Sequence, residues 1–212
     1  MSFRRTASST PERGPREPDP PPPSAPSALS SVGSVGRWQP GGPAGHAGRM
    51  LIREATAEDW VAIWPFFHRI VAAGETFTYP LDLGREQGRD WWLLSAPNRT
   101  VVAVDEAGTV LGTAKMNTNH MGNGSHTASA SYMVDPAHSG RGVGRALCEY
   151  SLDWAREAGY RGMQFNAVVE TNTPAVHLYR SLGFTVLGTL PEGFRHPEKG
   201  YVGLHIMHRP LP

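Results

Sequence analysis

The chain has 212 residues with 20 Lys and Arg against 19 Asp and Glu, so it lacks the basic excess of a protein that wraps nucleic acid and the acidic excess of one that mimics it. The single cysteine, Cys148, excludes an internal disulfide and a multi-cysteine zinc site, and no apolar run approaches the ~20 residues needed to cross a bilayer. With 39% hydrophobic residues and 6 Trp there is material for one core, and a cytoplasmic protein without a signal peptide or membrane anchor is expected.

Composition changes at Met50. Residues 1–49 hold 10 of the 19 prolines, including "PDPPPPSAP", and cannot bury enough apolar surface to offset their chain entropy. They are expected to be a disordered Pro/Ser/Gly-rich extension or the product of an upstream start, with one domain over residues 50–212.

Within that domain "MLIREA" alternates as a strand. Thr56 and Asp59 then open a helix whose stripe is Trp60, Ile63, Trp64, Phe67, Ile70 and Val71, ended by Gly74. Pro65 predicts a kink or a break in that helix. "GETFTYP" predicts a ligand-facing loop, carrying Glu75 and Phe77. A short helix over about 85–95 leads to a hairpin of "TVVAVD" and "GTVLGTAKMNTN", then to the strand "SHTASASYMV". "GRALCEYSLDWAREAGY" is helical, "GMQFNAVV" a strand and "TPAVHLYRSLGF" a helix opened by Pro174. "FTVLGTL" and "YVGLHIMHR" close the chain as strands, with residues 190–203 as a long connecting loop in which Phe194 and Tyr201 either pack or touch substrate. Antiparallel neighbours followed by strands separated by helices predict a mixed α/β (α+β) sheet with helices on both faces.

The stretch "SGRGVG", residues 139–144, lies between a strand and a helix. Unpaired N–H groups at a helix start suit an anion, glycines let it approach, and Arg141 and Arg145 add forked donors, so a pyrophosphate is the natural guest. The spacing Gly140, Gly142, Gly144 fits neither a Walker loop nor a dinucleotide fingerprint. Alone, it is equally readable as a tight glycine turn. His120, His126 and His138 lack metal-ligand spacing, so no metal is expected.

"SYMVDPAHSGRGVGRALCEYSLDWAREAGY", followed by a strand and "ETNTPAVHLYRSLGF", resembles the GCN5-related N-acetyltransferases (GNAT) across residues 50–209. The resemblance implies a sheet of about seven strands, splayed between the fourth and fifth, with acetyl-coenzyme A in the gap. It implies that backbone groups of Met133 and Val134 pair with the pantetheine arm and polarise the thioester carbonyl. Gly140, Arg141, Gly142, Val143 and Gly144 would take the pyrophosphate. Ser139 stands where the family has Gln or Arg, so Arg141 or Arg145 must supply that donor. Asn172 matches an asparagine that bonds the cofactor arm, and Tyr179 is placed to protonate the departing thiolate, its bland alternative being a core aromatic. Glu170 or Glu75 is the candidate base, against surface roles for both and an ordered water relay instead.

Three further features, "GETFTYP", "GSHTASASYMV" and the run from Gln164 to Arg209, resemble the fungal acetyltransferases of proline analogues such as azetidine-2-carboxylate and their bacterial relatives. Asn166, set in a strand expected to be buried, is either satisfied by backbone or aimed at a small polar substrate, and the resemblance favours the latter; Ser129 stands where that group has a second asparagine for the substrate carboxylate. Glu75 and Phe77 join them on the acceptor side. A small-molecule amine is the expected acceptor and a homodimer is left open. A silent acetyl-coenzyme A sensor and a protein amine acetyltransferase are the rival classes.

Overall fold

In the computed structural model, which describes residues 50–212, the chain forms β1 (Leu51–Glu54), α1 (Trp60–Ala73), α2 (Arg85–Trp92), β2 (Arg99–Val104), β3 (Val110–Thr118), β4 (Thr127–Val134), α3 (Val143–Glu157), β5 (Gly162–Val169), α4 (Thr173–Ser181), β6 (Thr185–His196) and β7 (Gly200–Pro210). The extension expected over residues 1–49 lies outside the described residues. The strands form one sheet in the order β1-β2-β3-β4-β5-β7-β6, antiparallel except for the parallel pair β4–β5. Among the described residues no helix is long and apolar enough to cross a membrane.

The central strands read as near-continuous apolar runs because both faces are covered. Val101 and Ala103 of β2 point into a core shared with Leu147, Leu152, Met163 and Phe165, beneath α3 and α4. Val102 and Val104 alternate to the opposite face and meet Trp60, Ile63, Phe67 and Trp92 from α1 and α2. The helices therefore cover both faces, as the alternation of elements predicts.

At the start of α1 the Asp59 carboxylate accepts from the Thr56 N–H at 2.8 Å and from the Thr56 hydroxyl at 3.2 Å. Arg53 grips the same carboxylate with both guanidinium nitrogens, each at 2.7 Å, tying β1 to the helix start. Of the kink or break expected at Pro65, the break does not occur: α1 runs unbroken from Trp60 to Ala73. Pro65 removes one N–H, but Trp60, Ile63, Phe66, Phe67 and Val71, buried in one core on either side of it, hold the two halves as a single helix.

The second correction concerns residues 190–203, expected as a long loop. They form a hairpin: β6 continues to His196, and only residues 197–199 separate it from β7. A register shift between Leu190 and Phe194 absorbs Pro191, Glu192 (φ 53°) and Gly193, a placement open to proline because β6 is the sheet edge. Phe194 packs with Val169, Val202 and Leu204, whereas Tyr201 is 67% exposed. Neither lines the cavity described below.

Asp59→Ala is expected to cost about 2–3 kcal/mol at neutral pH, read by urea unfolding, because it strands the part-buried Arg53 charge and frees the Thr56 N–H. The Arg53 guanidinium holds the Asp59 carboxyl below the usual carboxylate range. The pair's contribution is therefore present above the ordinary carboxylate pKa and is lost as pH falls through the depressed one, where the variant and the native protein should converge.

Candidate active site

The β4–β5 ladder consists of Thr127↔Gly162 and Ala128↔Met163, after which the strands diverge. Asp135 N–H donates to Leu111 O at 2.9 Å, continuing the β3–β4 ladder. Since bonding direction alternates along a strand, Met133 also turns its backbone to β3, whereas Tyr132 and Val134 turn theirs into the gap. The grouping of Met133 with Val134 is narrowed accordingly: Met133 borders the cavity, but its side chain is buried in the core and its backbone pairs with Thr113 of β3.

A cavity of about 770 Å³ occupies this gap, within the range of small-molecule sites. Its walls are β4, β5, the start of α3, α4 and the loop at residues 76–79.

At one end Gly140 and Gly142 adopt φ of 73° and 79°, a region that side chains disfavour. Gly142 is the N-cap of α3 and no side chain caps that helix; the first intrahelical bond is Ala146 N–H to Gly142 O at 3.0 Å. The N–H groups of Val143, Gly144 and Arg145 thus lack intrahelical partners at the positive end of the helix dipole. Arg145 lines the cavity and is braced by Ser181 Oγ at 2.8 Å. Arg141 does not line it and instead approaches His138 Nδ1 at 3.2 Å. The Ser139 hydroxyl donates to Pro136 O at 2.8 Å, so it serves its own turn. Arg145 is therefore the guanidinium this arrangement offers to an anion.

Midway along, Tyr132, Phe165, Tyr179 and Phe184 form an aromatic wedge, with Phe165–Tyr179 centroids 4.6 Å apart and Phe165–Phe184 stacked at 4.4 Å. Two phenols of this wedge line the cavity and differ in what holds them. The Tyr132 hydroxyl is engaged by Ser151 Oγ at 2.5 Å, whereas the Tyr179 hydroxyl has no protein partner among the described residues. Burial pushes the Tyr179 phenol well above its ordinary value, keeping it protonated at neutral pH. Burial also pushes the Cys148 thiol up to about 12, so Cys148 is a core residue rather than a nucleophile. Asn172 caps α4, its Oδ1 accepting from Ala175 N–H at 3.3 Å, which leaves its amide N–H groups for the cavity.

At the far end the wall carries Phe77 and Tyr79 from the loop, Ser129 and Ser131 from β4, and Asn166 from β5. Asn166 is exposed rather than buried, because β5 bulges out of register with β7 between Phe165 and Val168. Glu75 belongs to the loop but not to the lining. Glu170 also lies outside it: its Oε1 accepts from Gly203 N–H at 2.6 Å and its own N–H donates to Gly203 O at 3.0 Å, fastening β5 to β7. No aspartate or glutamate is among the lining residues. Ser131 and Tyr132 escaped the sequence reading; Ser131 was recoverable, since it shares a face with Ser129 two positions earlier.

The open sheet brings an anion seat, a protonated phenol and a polar pocket into one gap, an arrangement suited to group transfer from an anionic donor to a polar acceptor. The chain belongs to the Acetyltransferase (GNAT) family, whose model matches residues 51–184. It is similar to a GCN5-related N-acetyltransferase from Kribbella flavida, at 58% identity and a TM-score of 0.75 over 76% of this chain and 98% of that one. Similarity extends to the L-methionine sulfoximine/L-methionine sulfone acetyltransferase of Salmonella typhimurium, 29% identical over 68% of this chain and 84% of the relative. The yncA protein of Salmonella typhimurium, solved with its cofactor acetyl-CoA, is 26% identical with a TM-score of 0.65, over 77% of this chain and 94% of that one. The protein is a GNAT-family N-acetyltransferase, a family that uses acetyl-CoA.

If Glu170 serves the β5–β7 junction, Glu170→Ala should lower unfolding free energy by about 1–2 kcal/mol, by loss of the bond to Gly203, and leave kcat unchanged. A coupled assay of thiol release alongside chemical unfolding separates the two effects.

Proposed function

We propose that the protein transfers the acetyl group of acetyl-CoA to the amine of a small amino acid or a close analogue, proline analogues such as azetidine-2-carboxylate included. The observation that carries this reading is a single cavity that joins the uncapped start of α3 to a small pocket walled by hydroxyls, amides and aromatic rings. The Salmonella relative that acts on methionine derivatives supports the acceptor class. A cytoplasmic location suits this chemistry, and a domain over residues 50–212 contains all of it.

Acetyl-CoA supplies an activated thioester. In this reading the N–H groups of Gly142 to Arg145 and the Arg145 side chain hold the pyrophosphate. The gap-facing backbone of Val134 and the Asn172 amide hold the arm as an added strand would. A backbone N–H of β4 in the gap polarises the carbonyl. The acceptor nitrogen forms the new N–C bond as the C–S bond breaks, and Tyr179 gives its phenolic proton to the departing sulfur. With no carboxylate in the lining, the acceptor enters as the neutral amine, its second proton leaves to water, and water returns a proton to the Tyr179 phenolate.

Screening the full chain against amino acids, L-methionine sulfone, azetidine-2-carboxylate and a lysine peptide by thiol release tests the acceptor class. Turnover of amino acids is expected; turnover confined to the peptide, or cofactor binding without any turnover, would contradict the reading. Tyr179→Phe should lower kcat by about 10²-fold or more while leaving acetyl-CoA affinity intact. The pH profile carries its own sign. Because the Tyr179 phenol lies above its ordinary value of 10.0, kcat should show no loss from that group below pH 10. The acceptor's kcat/KM should climb about tenfold per pH unit up to the acceptor's own pKa, as the neutral amine accumulates.

A further inference from the structure

Asn166, on the acceptor wall, has its orientation set by two neighbours. Its Oδ1 accepts from Gln164 Nε2 at 2.8 Å and from Asn119 Nδ2 at 3.5 Å, while its Nδ2 donates to Asn119 Oδ1 at 2.6 Å. A carboxamide has two lone pairs and two N–H donors. The oxygen is filled and one N–H is used, so a single N–H remains to be offered. Asn119 is itself anchored: it follows β3, and its backbone N–H donates to Thr127 O at 2.8 Å at the start of β4. From there its side chain reaches across β4 to the β5 bulge, on the face that carries Asn117 and its cross-strand partner Ser129.

A second observation concerns charge. Lys115, two residues before Asn117 and opposite Ser131 in the β3–β4 ladder, holds its ammonium 5.5 Å from the centre of the Tyr79 ring and 5.4 Å from that of Trp92. It donates to Trp91 O at 3.0 Å and has no carboxylate partner among the described residues. Ser131 and Tyr79 both line the cavity, which has no acidic residue in its lining. Lys115 is not itself in the lining, and burial holds its pKa below the ordinary lysine value, but its ammonium lies beside Tyr79, which does line the cavity, and its charge there favours an anionic group on the guest.

We infer that Asn119 is a positioning residue for acceptor recognition: it locks the Asn166 carboxamide so that its free N–H meets a carboxylate oxygen of the acceptor substrate, with Lys115 supplying the field that favours that carboxylate. The inference rests on the small amino-acid reading of the acceptor and adds the residue, Asn119, that fixes how the Asn166 carboxamide is presented to it.

The test measures steady-state kinetics of the full chain with L-methionine sulfone and with its decarboxylated amine. Asn119→Ala should raise the KM for L-methionine sulfone about tenfold, the effect of one lost hydrogen bond to a charged group. The KM for acetyl-CoA should stay unchanged, which also reports that the cofactor half is folded. Gln164→Ala, which releases Asn166 from its other partner, should raise the same KM. For the decarboxylated amine both penalties should vanish, a split that a merely structural defect would not produce. An unchanged KM for L-methionine sulfone in Asn119→Ala, or an equal penalty for both acceptors, would overturn the inference while leaving the acetyltransfer reading standing. Absence of turnover of every amino acid in the panel by the unaltered protein would overturn it together with the amino-acid reading.

Discussion

Between β4 and β5 the ladder keeps its two pairs, at Thr127↔Gly162 and Ala128↔Met163, and beyond them the backbone of Tyr132 and Val134 has no strand to bond. Unpaired backbone groups in a sheet interior are costly unless something else satisfies them. The aromatic wedge of Tyr132, Phe165, Tyr179 and Phe184 keeps the strands apart, and the bulge in β5 removes Asn166 and Ala167 from the β7 ladder. The gap is thus built into the packing of the native sheet. Everything functional is arranged along it: the start of α3 at one end, Tyr179 in the middle, and the hydroxyl-lined pocket at the other.

The two faces of the sheet divide the labour. On the α3 and α4 side, alternation along β4 directs Tyr132 and Val134 toward the phenol and the helix start. On the α1 and α2 side it directs Ser129 and Ser131 toward Phe77, Tyr79 and Asn166, so the donor and acceptor meet at the strand itself. Tyr79 feels this enclosure too: burial pushes its phenol up to about 12, so it stays neutral at neutral pH. Position separates the two: Tyr179 lies in the aromatic wedge midway between the start of α3 and the acceptor pocket, whereas Tyr79 lies on the acceptor wall.

Local chemistry carried much of this. The limits of β5 coincide with "GMQFNAVV", and the glycine turn of "SGRGVG" does lead into a helix, because these elements follow from apolar alternation and from the φ that Gly140 and Gly142 must adopt. The expectations that changed depended on distant partners. Pro65 reads as a breaker locally, and only the shared core of Trp60, Phe66 and Val71 keeps α1 whole. Pro191, Gly193 and Pro197 read as a loop, and only pairing of Phe194 with Val202 makes a hairpin. Glu170 and Asn166 were recognisable as polar residues near the motif, but Gly203 and Asn119, which decide what each one does, lie 33 and 47 residues away in the chain.

Residue-resolved amide hydrogen exchange, with and without acetyl-CoA, tests the central claim about the gap most directly. The account predicts new protection at Tyr132 or Val134 and at the N–H groups of Val143, Gly144 and Arg145, with no change at Met133, which already bonds to β3. Protection gained at Met133 instead, or binding of acetyl-CoA that leaves the gap-facing amides and the start of α3 exchanging as before, would contradict it.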